Sequence, residues 1–297
     1  MLGVVLLKIL YNELMKNYTS FKIGGPADKV IVPETEDELI EAVKSCEKEK
    51  VNYYVMGNGS NILVRDGGIR GTVIIIEENL SHINIRGNKI RVQSGALLSK
   101  LSKRALKHSL KGLEFASGIP GTVGGAIAMN AGAYGGEMKD VVSKVKVLDK
   151  EGKIVEYSGE EMNFRYRGSR VQDQELIVLE VEMELEEGNY DEIKEKMNDL
   201  TRRRKTKQPL EYPSAGSTFK RPEGYYAGKL IQDSGLKGLR HGGAQVSEKH
   251  SGFIINAENA SSDNVENLIK VIQKTVKDKY NVILEPELKV IGEKQKG

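Results

Sequence analysis

Three groups of residues in this 297-residue chain have types and spacings that could do chemistry. The densest is Gly112–Gly136, with eight glycines and no charged side chain between Phe115 and Gly136. A solvated loop would not avoid charge so thoroughly. Glycine lets a backbone approach a ligand closely and turn successive N–H groups toward an anion, and Ala126, Ala128 and Ala131 leave room beside it. The run Ser117, Gly118, Ile119, Pro120, Gly121, Thr122, Val123, Gly124 and Gly125 therefore suits a diphosphate held by neutral donors. The competing reading is a tightly packed Gly/Ala cluster inside the core.

A second cluster, Gly57, Asn58, Gly59, Ser60 and Asn61, leads into Ile62-Leu63-Val64. Asn58-Gly59 between hydrophobic flanks is also a hairpin-turn signal. The cluster lacks the third glycine and the helix of a dinucleotide fingerprint. Two neutral loops of this kind favour one extended cofactor held by backbone amides. The third group is Pro213–Lys220, where Ser217 follows a glycine among small residues, and Lys207 and Lys220 bracket it with charge suited to an anionic ligand. A loop serine is by default a turn former or cap. Arg202–Lys205 reads most simply as a complement to a helix C-terminus. Gly228-Lys229 is followed by Leu230, so no Walker loop exists, and no G-x-S-x-G elbow occurs.

These residues need elements to hold them. Thr35 and Glu38 stand in capping-box spacing and Leu39, Val43 and Cys46 share a face, which predicts a helix over Thr35–Val51. Lys29–Val32 and Val51–Val55 read as flanking strands of a small β-α-β unit. Strands are expected at Thr72–Glu77, Lys89–Ser94, Lys144–Leu148 and Ile154–Tyr157, and a helix over Leu97–Leu110. From Ile177 to Leu185 apolar residues alternate with Glu180, Glu182 and Glu184, the pattern of a half-buried antiparallel strand. Tyr190–Thr206 is a helix with Ile193, Met197 and Leu200 inward, and Pro209 and Pro213 then break the chain. A strand at Gly252–Asn256, a helix over Ser262–Tyr280 and a strand at Leu288–Ile291 follow.

The composition bounds the class. With 45 Lys plus Arg against 42 Asp plus Glu, the net charge is +3, and 39% of residues are hydrophobic. That excludes composition-driven disorder and argues against nucleic acid as a main partner. The run Val4-Val5-Leu6-Leu7 is too short for a membrane span and lacks the flanks of a leader peptide, so a soluble cytoplasmic protein is expected. One cysteine, Cys46, excludes an internal disulfide, and four scattered histidines give no metal-binding pair; no metal is expected. The length suggests about two domains, with three possible.

Five ordered motifs carry a resemblance. Gly57-Asn-Gly-Ser-Asn-Ile-Leu-Val64, Ile119-Pro-Gly-Thr-Val-Gly-Gly125 running into Asn130-Ala-Gly-Ala-Tyr-Gly135, Phe164-Arg-Tyr-Arg-Gly-Ser169, Ser214-Ala-Gly-Ser-Thr-Phe-Lys220 and Leu284-Glu-Pro-Glu287 occur in the order found in the UDP-N-acetylenolpyruvoylglucosamine reductase family. The resemblance spans roughly Thr19–Gly292. It implies an α+β fold: an FAD-binding fold of the vanillyl-alcohol-oxidase type in two subdomains, expected at 1–77 and 78–207, plus a substrate-binding domain at 208–287, with the strand in 288–297 returning to the first. It also implies a cytoplasmic oxidoreductase of peptidoglycan synthesis, and so of cell wall biogenesis, cell shape and cell division. Its cofactor would be noncovalent FAD, its co-substrate NADPH and its substrate a UDP-sugar enolpyruvyl ether. A monomer is expected.

Carried over residue by residue, the family's catalytic arginine falls on Arg167, its serine proton donor on Ser217 and its catalytic glutamate on Glu287. The two loops become the cofactor site, with Ala131 and Gly132 added, and Lys207, Lys220 and His250 become substrate contacts. The compact run Pro213–Gly235 resembles the family's shorter type, without a substrate-covering tyrosine loop, so Tyr225 and Tyr226 take no such role. After the glutamate the family commonly has Val-Arg and this chain has Leu288-Lys289, which puts in question any flavin contact made there by arginine. Two alternatives stand beside this reading. One is another FAD oxidase of the same fold, although such enzymes often tether flavin through His or Cys, absent from both loops. The other is a non-enzymatic nucleotide-binding protein.

Overall fold

A computed structural model describes residues 7–295. Val4–Leu6 of the early apolar run lies outside them, and no helix among the described residues is long and apolar enough to cross a membrane. By packing, the chain divides into two compact units. One comprises the residues as far as Leu10, Val30–Asn58 and Thr72–Arg204; the other comprises Tyr11–Lys29, Gly59–Gly71 and the residues from Lys205 on.

In the first unit, helix α1 (Glu36–Glu49) starts where Thr35 Oγ1 accepts the Glu38 N–H at 3.2 Å, and ends at Lys50 with φ 55°. The Glu38 carboxylate reaches back one residue further than a capping box requires, to the Glu34 N–H at 2.7 Å. Its buried face, Leu39, Ala42 and Val43, packs on Ile31, Ile74, Leu148, Ile177 and Leu179. Strand Tyr53–Met56 runs parallel to Ile69–Ile75, which stands between it and Pro26–Val32. The expected β-α-β strands therefore share a sheet without being neighbours.

The larger sheet is antiparallel, in the order Ile154–Ser158, Val142–Leu148, Ile177–Glu184, Lys89–Gln93, Ile83–Arg86. Ile177–Glu184 is its central strand. Val181 and Met183 face one core, and Glu180 and Glu182 meet Arg91 across the strand at 3.4 and 2.5 Å. The half-buried pattern fails at its start, where Ile177, Val178 and Leu179 are all buried. The physical reason is that the α1 core covers the second face there, next to a register shift opposite Lys146/Val147. Helix α2 (Leu98–Lys107) buries Leu98, Leu101 and Ala105 in the same core as the short helix α3 (Val123–Ala128). Helices α4 (Arg170–Asp173) and α5 (Tyr190–Lys207) complete the helices that begin in this unit.

The second unit gathers Phe21, Leu63, Ala215, Phe219, helix α6 (Ala227–Asp233) and helix α7 (Ser262–Tyr280) into one core. Ser261 and Asn264 close a capping box at the start of α7, and Asn281, at φ 55°, ends it. Val265, Leu268, Ile272 and Val276 face inward at helical spacing. Arg65 grips Glu266 through two contacts of 2.7 and 3.2 Å, and Asp66 accepts from the N–H and hydroxyl of Ser262. Strand Ile62–Val64 pairs in parallel with Lys289–Ile291. The hairpin reading of Asn58-Gly59 is thereby corrected: the strands before and after the loop each take a parallel partner elsewhere, so they never pair with each other.

Candidate functional site

The loop Ser117–Gly125 is stitched down mainly by its own backbone. Leu98 N–H donates to Gly121 O at 3.1 Å, Val123 N–H to Ala96 O at 2.8 Å and Gly124 N–H to Ser94 O at 2.8 Å. Thr122 Oγ1 accepts the Gly125 N–H at 3.4 Å as the α3 cap, and Ser117 Oγ donates to Glu114 O at 2.8 Å. The amides of Val123, Gly124 and Gly125 are thus already engaged. Gly124 answers a steric need: a Cβ there would come 2.9 Å from Ser94 Cβ. A Cβ on Gly125 would find an ordinary 3.5 Å contact.

Gly57 and Asn58 of the second loop reach this one from within the same unit. Asn58 Nδ2 donates to Pro120 O, and a Cβ on Gly57 would fall 2.2 Å from Thr122 Oγ1, so the two loops close only because residue 57 is glycine. Gly59 takes φ 55°, and its carbonyl accepts from Ser20 N–H in the second unit's own framework. Ala131 N–H donates to Ala126 O, and Gly132 pairs with Glu137 in a tight hairpin. Beside Gly124 the hydroxyl of Ser94 is buried with no hydrogen-bond partner among the described residues. A close-set, charge-free cradle with an orphaned hydroxyl fits a flat, extended cofactor such as FAD.

Arg167 sits at φ 56° in a tight turn whose ends, Arg165 and Gly168, exchange N–H···O bonds of 3.0 and 3.1 Å. A side chain in the left-handed region costs about 1 kcal/mol or more, so the turn must be held. Asn130, fully buried, does this: its Nδ2 donates to Arg165 O at 3.1 Å and to Glu137 at 2.9 Å, and its Oδ1 accepts from Lys139 N–H. Buried Ser169 donates to Ala128 O at 3.1 Å. The Arg167 guanidinium lies 5.0 Å from the Tyr166 ring centre, a cation–π contact.

In the second unit, Ser217–Lys220 runs antiparallel to Glu285–Glu287. Glu287 N–H donates to Thr218 O and Lys220 N–H to Glu285 O, each at 2.8 Å, and Phe219 bridges Pro286. Buried Thr218 locks the serine loop a second time, accepting Ile254 N–H on its Oγ1 at 3.0 Å. Asn61 ties the glutamate end down through Nδ2 to Glu287 O at 3.2 Å, and its own carbonyl accepts Lys289 N–H. Asn61 therefore lies against the Glu287 segment. The Lys220 ammonium is 3.2 Å from Glu285. His250 accepts the Gly252 N–H on Nδ1, which leaves the proton on Nε2; burial, and then the charge of Lys207, hold its imidazole below its ordinary pKa.

A family model described as the UDP-N-acetylenolpyruvoylglucosamine reductase C-terminal domain matches residues 208–291, and one described as an FAD binding domain matches 27–158. The chain is 58% identical over 287 residues to the UDP-N-acetylenolpyruvoylglucosamine reductase of Caldanaerobacter subterraneus subsp. tengcongensis, covering 97% of this chain and 95% of the relative. The chain belongs to the UDP-N-acetylenolpyruvoylglucosamine reductase family. The reductase of Clostridioides difficile is 55% identical over 285 residues, covering 96% and 94%. The crystal structure of the reductase from Thermus caldophilus superposes with a TM-score of 0.83 at 38% identity, covering 96% of this chain and 98% of that one. As a member of this reductase family the chain is an α+β, FAD-dependent oxidoreductase.

The sequence motifs include Asn130, Ser169 and Thr218 and the cofactor loop includes Asn61, but no positioning role for any of them could be read there; the structure shows each holding a segment of the candidate site. One signal was available for Asn130, the lone carboxamide in a stretch otherwise free of charge and amide groups. The others differ in nothing from ordinary loop residues until the fold is known.

Proposed function

We propose that the chain reduces the enolpyruvyl ether of UDP-N-acetylglucosamine-enolpyruvate to UDP-N-acetylmuramate with electrons from NADPH, acting as a cytoplasmic monomer in peptidoglycan precursor synthesis. FAD, when bound, would supply the hydride-transfer chemistry that links NADPH to the methylene carbon of the substrate. It is held without a covalent bond by Gly57–Asn61 and Ser117–Gly125, with Ala131 and Gly132 beside them, since neither loop contains His or Cys.

Hydride can add to this electron-rich alkene only if the carboxylate accepts the displaced electrons. Arg167, permanently charged and able to form paired hydrogen bonds, holds that carboxylate, and Glu287 polarises it as partner. The substrate is then an enolate with excess charge on the carbon bearing the ether oxygen. Ser217 delivers the proton there; a hydroxyl suffices because the carbanion-like centre is a far stronger base than an alkoxide. Lys207, Lys220 and His250 serve the anionic remainder of the sugar nucleotide, and residues 208–287 form the substrate-binding part.

The observation that carries this assignment is the antiparallel register of Ser217–Lys220 with Glu285–Glu287, which puts the proposed acid and its carboxylate on adjoining segments of one unit. The test is anaerobic mixing with NADPH, with and without the enolpyruvyl sugar nucleotide, while following flavin absorbance. Bleaching by NADPH and recovery only with the sugar nucleotide are expected. Recovery without it, or none with it, would exclude this function.

A further inference from the structure

We propose that Arg204 is an anion-binding residue of the cofactor site, and that it supplies to the diphosphate of FAD the positive charge that the glycine loop lacks. This rests on the flavoprotein reading above. The basic run Arg202–Lys205, singled out in the sequence as a helix-end feature, does not behave as one patch. Arg202 and Arg203 are exposed and both meet Asp199, at 2.6 and 2.7 Å. Arg204 points the other way. Ile193, Met197, Leu200 and Arg204 follow one another at spacings of four, three and four, so the arginine occupies the next inward position of the buried face of α5, where an apolar residue would ordinarily stand.

The stem of that side chain packs on the loop itself. A Cβ at Gly118 would lie 2.9 Å from Arg204 Cδ, so the glycine is what admits the arginine. The guanidinium has no hydrogen bond or ion pair among the described residues, and the ionisable group its charge senses is Tyr134; burial pulls its pKa below the ordinary arginine value. Arg204 is half-buried, and a charge partly withdrawn from water without a partner is costly; an arginine cannot escape that cost by losing its proton. Between Phe115 and Gly136 the loop has no charged residue of its own, while the amides of Val123, Gly124 and Gly125 are already taken. A diphosphate held here finds no charge in the loop and three of its amides already engaged, and Arg204 is the cation that packs against that loop at Gly118.

The test is titration of the flavin-free full chain with FAD and, separately, with riboflavin, which has no phosphate, at low and high KCl. Arg204→Met keeps the apolar stem and Arg204→Gln keeps a polar end; Arg204→Lys keeps the charge. The Met and Gln variants should lose FAD affinity by roughly 10- to 150-fold, the range expected for a charged hydrogen bond, and keep riboflavin affinity within about twofold. Their FAD binding should also become less sensitive to salt than the parent's, and the Lys variant should fall between. Unchanged FAD affinity in Arg204→Met, equal losses for FAD and riboflavin, or a loss with unaltered salt sensitivity would each overturn the assignment. A parent chain that binds neither flavin would overturn the flavoprotein reading itself.

Discussion

The loop Ser117–Gly125 and the paired segments Ser217–Lys220 and Glu285–Glu287 keep their shapes by different means. The first is a local construction: its backbone bonds go to Ser94, Ala96 and Leu98, and its tolerances are tightest at Gly118 and Gly124, where a Cβ would come within 2.9 Å of a neighbour. The second joins distant parts of the chain, since the hydrogen bond from Asn61 to Glu287 spans 226 positions. In the first region the chemistry is in what has been removed, so that a cofactor fits. In the second, under the proposed function, it is in side chains placed by neighbours that do no chemistry. Damage should therefore look different in each, as lost cofactor or stability in one and lost turnover with an intact fold in the other.

The largest effect should come from Ser217→Ala. The exposed hydroxyl carries no core packing, so melting temperature and FAD content should hold while recovery of reduced flavin on adding substrate slows by about 10²- to 10⁴-fold in stopped flow. Ser217→Cys should restore part of the rate, because a thiol can also donate a proton. A Ser217→Ala protein that recovers at the parent rate would assign the proton to another group, with Glu287 or a water next in line.

Gly57→Ala attacks the first region. Its methyl would stand 2.2 Å from Thr122 Oγ1, so chemical denaturation should show a loss of about 1–3 kcal/mol, with colourless protein. Adding Thr122→Ala should return part of that stability; no recovery in the double variant would mean that the two loops do not constrain each other. A charge test belongs at Gly125, where a Cβ has room. Gly125→Asp should reduce FAD retention with little change in the stability of the flavin-free chain, whereas Gly124→Asp should harm both through Ser94.

A smaller change is expected from Asn61→Ala, which removes one side-chain bond to the Glu287 carbonyl. A loss of about 1 kcal/mol in chemical denaturation should accompany a drop in the recovery of reduced flavin by substrate that exceeds any change in its bleaching by NADPH.

The smallest concerns His250. Its folded pKa is depressed, chiefly by burial, so at pH values below about 6.5 the unfolded chain takes up a proton that the folded protein still refuses. The stability this confers is complete above that pH and is lost as pH falls. Melting temperatures measured from pH 7.5 to 5 should therefore decline less steeply for His250→Gln than for the parent, and equal slopes would refute the burial account.

The same contrast explains what could be read from the sequence. The glycine loop was visible as composition, because local steric demands leave a local trace in residues 112–136. Its working was less visible: that Gly124 makes room for Ser94, or Gly57 for Thr122, depends on residues 30 or more positions away. The roles proposed for Arg167 and Glu287 come only from the resemblance, since each is unremarkable by type, whereas Ser217 also stands out among small residues bracketed by Lys207 and Lys220. Helices α1 and α7 were readable nearly to their ends, where a threonine or serine cap starts a clear stripe. The turn Asn58-Gly59 misled because strand partners are a property of the sheet, and the partner of Ile62–Val64 comes from the far end of the chain.

That late partner has a consequence for biosynthesis. A ribosome makes about 5–20 residues per second, so Asn61 waits on the order of 10–45 s before Glu287 exists to receive its hydrogen bond. Throughout that interval Leu63 and Val64, fully buried in the finished protein, lack the strand that will pair with them. A nascent chain of this reductase should accordingly be a chaperone client during its own synthesis, with its short strand Ile62–Val64 as the segment most in need of cover.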